Sequence, residues 1–209
     1  MIWLFVLLLV FCIAFLHIWI PYRLPVAVID SESIDTFEFK NGDVVLYRHL
    51  EQWQCHFNWW FHTGLILTLG EKVYIAHYGG RRNKYSIKDA RVSLKRYMQR
   101  GGIIAIRRLI PSTTQLEWLN SDTEKKAFLY RYAFRPFDNN YVMNYILSRL
   151  ELQKEKMDKF ACSGFVGVCL RKCGVPIQNV NTLSPGSLSS SFSSKWDRYL
   201  TREIYLTLC

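Results

Sequence analysis

Two short apolar runs, 63–69 and 73–78, flank the dipeptide Gly70-Glu71, and no other feature restricts the fold so much. Runs of this length rich in β-branched and aromatic residues, broken by a glycine-containing turn, read as a β-hairpin. Further strands are expected at 44–47, after the turn residues Gly42-Asp43, and at 103–107, after Gly101-Gly102. From Thr113 onward the apolar spacing becomes helical, predicting helices at 122–134, at 141–150 and from Cys162 to a stop at Gly174 and Pro176. A last strand is expected at 204–208. Strands followed by helices predict an α+β fold, an antiparallel sheet packed on a helical layer.

The hairpin also fixes a register. A two-residue loop makes Leu69 oppose Lys72, which brings His77 opposite Gly64 and makes His62 its diagonal neighbour on the same face. Diagonal cross-strand positions are about 7–8 Å apart, within reach of aromatic rings. Gly64 leaves room for the ring across from it. Two imidazoles are thus expected on one surface of the sheet.

Cys162 opens the run Cys162-Ser163-Gly164-Phe165-Val166 at the start of a helix. There the positive end of the helix dipole is expected to lower the thiol pKa and favour the thiolate. A thiol and two histidines are enough for acyl transfer. One ring takes the thiol proton and later protonates the leaving group, and the second orients the first. The backbone N–H of Cys162 is placed to donate to a developing oxyanion. Cys169 and Cys173 share a helix face with Val166 and read as small buried hydrophobes. His49, His56 and Cys55 read as structural.

The chain has 209 residues, half of them hydrophobic, which is enough for one domain with a short extension. Residues 1–20 are almost uninterruptedly apolar, broken only by His17, with Trp3 and Trp19 near the ends. About 20 apolar residues span a bilayer as a helix, so a retained transmembrane anchor is expected. Residues 21–40, with two prolines and four acids, read as a tether, leaving 41–209 as the catalytic domain. Arg23 and Lys40 follow the span and no basic residue precedes it, which favours a cytosolic domain. The 27 Lys and Arg outnumber 17 Asp and Glu, for a net charge of +10. That charge suits a membrane lipid or another anionic surface. The basic groups at Arg81, Arg82 and Lys84 and at Arg91, Lys95, Arg96 and Arg100 read as a solvated face. They match no nucleic-acid module, so no specific nucleic acid partner is expected.

The order Gly42-Asp43-Val44-Val45, His62-Thr63-Gly64, His77 and Cys162-Ser163-Gly164-Phe165-Val166 resembles the circularly permuted branch of the NlpC-like papain superfamily. In unpermuted members the Cys-Ser-Gly-Phe-Val helix comes first; here it comes last, as in the YiiX/YaeF-like and lecithin-retinol-acyltransferase-like groups. Weaker matches are Arg107 with Pro111, Pro136-Phe137-Asp138, and the segment Leu183-Ser184-Pro185-Gly186-Ser187-Leu188. The resemblance implies a permuted papain-like fold with Cys162 as nucleophile, His62 as general base and His77 as the third polar member. It implies a thiol hydrolase or acyltransferase acting on a lipid acyl or peptide substrate, with no metal or organic cofactor. Gly164 stands where many YiiX-like members have Glu, and His77 is closer to the acyltransferase pattern. A non-catalytic membrane or virion interaction protein retaining the scaffold is the alternative.

Overall fold

The computed structural model describes residues 31–49, 60–79, 84–155, 157–189 and 194–208. The expected anchor at 1–20, together with Cys55 and His56, lies outside the described residues, as do Arg81 and Arg82. Among the described residues no helix is long and apolar enough to cross a membrane.

Among the described residues seven strands form one sheet: β1 (Ser31–Ser33), β2 (Val44–His49), β3 (His62–Leu69), β4 (Lys72–Gly79), β5 (Lys84–Asp89), β6 (Gly102–Arg107) and β7 (Ile204–Thr207). Their spatial order is β1-β7-β6-β2-β3-β4-β5. The sheet is mixed rather than purely antiparallel, because β1 runs parallel to β7. The β3–β4 hairpin has the expected register, Leu69 opposite Lys72 through to Leu65 opposite Ala76. Gly70, at φ +59°, supplies the left-handed turn residue.

Five α-helices are described: α1 (Ala90–Met98), α2 (Glu117–Asn120), α3 (Asp122–Ala133), α4 (Tyr141–Arg149) and α5 (Cys162–Lys172). Helix α5 packs on β3 and β4, and Phe165, Val166 and Cys169 join Leu46, Leu65, Ala76 and Tyr78 in the larger core. Alternation along the strands sends Val45, Tyr47, Ile66 and Ile75 to the opposite face, where Ala90, Leu94 and Met98 of α1 cover them. The sheet therefore carries helix on both faces, not on the single layer expected from sequence.

The stretch 31–40, expected within a tether, belongs to this second core. Ile34, Phe37 and Phe39 are buried there. Arg91 of α1 donates to the carbonyls of Ile34, Asp35 and Phe37, and Lys95 pairs with Asp35. Two members of the expected solvated basic face are thus structural ties. Cys169 and Cys173 are buried free thiols, as expected.

Candidate active site

Three loops fix where α5 begins. Phe160 bridges to Phe137; its N–H donates to the Pro136 carbonyl and its carbonyl accepts from the Asp138 N–H. Asp138 is held in turn by the Asn140 N–H and the Asn144 amide. The Ser163 hydroxyl donates to the Leu183 carbonyl at 2.8 Å, tying the first turn to the 183–188 segment. Gly167 lets that segment come close, since a Cβ there would stand 2.4 Å from Leu183 Cδ1. The 183–188 segment is anchored by buried Arg107, which donates to the carbonyls of Leu188, Leu200 and Thr201 and pairs with Asp197. Of the weaker sequence matches, Pro136-Phe137-Asp138 and the 183–188 segment brace the start of the Cys162 helix, the latter held by Arg107.

The N-cap of α5 is Ala161, which has no side-chain acceptor. The first-turn N–H groups are left for another acceptor. The N–H groups of Cys162, Ser163 and Thr63 stand close enough to the Cys162 sulfur to favour its thiolate. Thr63 follows His62 directly. The β3–β4 ladder ends at Leu65 opposite Ala76, short of Thr63, whose N–H favours the Cys162 thiolate.

The two histidines share the strand parity of Ile66 and Ile75, on the face that α1 covers, and they meet there. His62 Nε2 and His77 Nδ1 are 2.9 Å apart, with the rings nearly perpendicular. The Tyr47 ring lies 5.2 Å from the His62 ring, centroid to centroid. Gly79, at φ +134°, closes the other edge: a Cβ there would stand 3.1 Å from His62 Cε1. Because Nε2 is engaged with His77, Nδ1 is the nitrogen of His62 left for a thiol proton.

The electrostatics correct one expectation. Burial pushes the Cys162 thiol up to about 11, although three N–H donors oppose it. The thiol is only 8% exposed, and loss of solvent outweighs the helix terminus. Burial, reinforced by the neighbouring His77, lowers His62 to about 3. Burial and the Lys88 cation lower His77 to about 4. At neutral pH the thiol and both rings are uncharged, so there is no resting thiolate–imidazolium pair.

His62 and His77 are hydrogen-bonded, and Cys162 reaches the backbone next to His62. Thiol and ring share no hydrogen bond among the described residues, so proton transfer requires the two to be brought together. His49 lies at the end of β2. The sequence reading missed the Thr63 N–H, Gly79 and Ala161. Gly79 had a signal, a glycine two residues beyond the second histidine; Thr63 had none beyond its place beside His62. Among the described residues, no group of three His, Cys, Asp or Glu side chains could hold a metal ion.

No family model matches the chain, and no curated protein matches it. Among solved structures it is similar to the metalloprotein YiiX from Escherichia coli O157:H7. That likeness has 18% identity and a TM-score of 0.44, over 66% of this chain and 69% of that one. Functional assignment therefore rests on the site geometry.

Proposed function

We propose that the chain is a thiol hydrolase or acyltransferase that cleaves an amide or ester through an acyl-cysteine intermediate. We further propose that residues 1–20 hold it at a membrane, with the domain on the cytosolic side. The observation that carries the reading is the 2.9 Å bond between His62 and His77, with the N–H of Thr63, the residue after His62, favouring the Cys162 thiolate. In the tautomer where His62 Nε2–H donates to His77, Nδ1 of His62 carries the lone pair that accepts the thiol proton. The sulfur then bonds to the substrate carbonyl carbon, and the carbonyl oxygen becomes an oxyanion facing the α5 N-terminal N–H groups. Collapse breaks the bond to the leaving group, which takes its proton from His62, and leaves a thioester on Cys162. Water or an acceptor hydroxyl or amine, deprotonated by His62, releases the acyl group. His77 orients His62 and shares the positive charge while the ring is protonated.

With the thiol and both rings neutral at rest, the thiolate has to form by proton transfer to His62 as the carbonyl is attacked. A lipid acyl substrate is favoured over a peptide by the apolar 1–20 stretch and the net charge of +10. The test is turnover of p-nitrophenyl esters of increasing acyl length and of the matching anilides. Activity should vanish in Cys162→Ser and fall at least a hundredfold in His62→Ala. Turnover that survives both substitutions refutes the proposal. The near-complete burial of Cys162 favours the second reading, a non-catalytic scaffold, which predicts no turnover by the wild type.

A further inference from the structure

Helix α4 is inside out. Its buried side holds polar residues, Asn144 at 9% exposure and Ser148 at 5%. Its outer side is apolar: Val142, Met143, Ile146 and Leu150, with Leu152 just beyond, are 44–73% exposed. At 100° per residue, positions 142, 143, 146 and 150 fall within one quadrant or little more, opposite Asn144 and Ser148. A soluble surface helix has the reverse pattern, and a contiguous apolar stripe of this kind marks a contact with an apolar phase.

The C-terminal end of the same helix borders a cavity of about 510 Å³. Arg149, Lys154 and Lys195 line it with Gln153, Asn179 and Thr182, against Glu151 as its one acid. The Ser148 hydroxyl also borders the cavity; it is buried and has no hydrogen-bond partner. Cationic groups and an unsatisfied hydroxyl at the edge of an apolar stripe match an anionic phospholipid, with phosphate in the cavity and chains beside the stripe.

We propose that the outer face of α4 and the adjoining basic cavity dock on an anionic lipid bilayer. Charge complementarity selects this occupant: a second copy would set Arg149 and Lys154 near their own counterparts or leave them unused, and the uncharged 1–20 stretch would not engage them. The docking needs no catalysis, and Leu183, which accepts the Ser163 hydroxyl, forms part of the cavity wall, so the bound surface lies near the nucleophile helix.

The experiment is amide hydrogen exchange on the full chain reconstituted into vesicles of phosphatidylcholine, with or without phosphatidylserine. Docking predicts slower exchange over 141–152 only in the anionic vesicles. Arg149→Gln and Lys154→Gln should each lower the docked-to-free ratio roughly fivefold, following a contribution of about 1 kcal/mol per basic residue near an anionic surface. Met143→Asp with Ile146→Asp should abolish the protection while exchange over 162–172 stays unchanged. Equal protection in neutral vesicles, unaffected by Arg149→Gln and Lys154→Gln, would mean that the chain's own apolar stretch covers the face and would overturn the proposal. Protection that grows with protein density would mean a second copy and would overturn it too, as would no protection in either vesicle.

Discussion

The neutral imidazole pair makes stability depend on pH in a way that one substitution can isolate. In the folded chain His62 titrates at about 3 and His77 at about 4, against an ordinary histidine value of 6.5. Between those limits the unfolded chain binds more protons than the folded one, so stability is present above about pH 6.5 and is lost as pH falls towards 3. For His77 the loss from pH 7 to pH 4 works out at about 3 kcal/mol, and His62 contributes a similar amount. Replacing His77 with Gln removes its proton uptake while keeping an acceptor for His62 Nε2. The assay is urea unfolding of the full chain in detergent micelles at pH 7 and pH 4, followed by tryptophan fluorescence. The wild type should lose about 3 kcal/mol more than His77→Gln over that interval. Carboxylate protonation destabilises both proteins alike and cancels in the difference. Equal losses would mean that the rings are already solvated or charged, and the general-base mechanism would lose its foundation.

Gly79→Ala places a methyl group 3.1 Å from His62 Cε1 at a backbone φ of +134°, which costs about 1–3 kcal/mol of strain or ring displacement. It should slow ester turnover about tenfold or more in the wild type, and have no effect in a His62→Ala background. With a thiol at about 11, alkylation of Cys162 by iodoacetamide should rise about tenfold per pH unit from 7 to 10, where an ordinary thiol levels off near 9. Peptide mapping across pH reads that slope. Gly167→Ala sets a methyl group 2.4 Å from Leu183 Cδ1 and 3.2 Å from Val180 Cγ1; displacing them should cancel the helix-propensity gain of about 1 kcal/mol, so thermal unfolding should show no stabilisation.

The hairpin was legible because a two-residue turn fixes parity, and Leu69 does face Lys72. The meeting of His62 with His77 followed from that parity, whereas the space at Gly64 is taken by Ile75 and not by the His77 ring. Helix α1 was not legible: its three buried residues, Ala90, Leu94 and Met98, are spaced among Arg91, Lys95 and Arg96, which read as solvated. Residues 31–40 were hidden in the same way, since Ile34, Phe37 and Phe39 stand among acids and their burial depends on a helix sixty residues later. The thiol's protonation state was misjudged because a helix terminus is visible in sequence whereas desolvation is not. The end of the β3–β4 ladder short of Thr63 belongs to tertiary packing alone.

The central claim is that Cys162 accepts an acyl group with His62 as its base, and single-turnover acylation tests it most directly. The full chain is mixed with a p-nitrophenyl acyl ester, quenched in acid, and mapped by peptide mass. The account predicts a thioester on Cys162, forming quickly in the wild type, at least a hundredfold more slowly in His62→Ala, and at an intermediate rate in His77→Gln. An adduct spread over other cysteines, or one on Cys162 whose rate ignores His62, would contradict it.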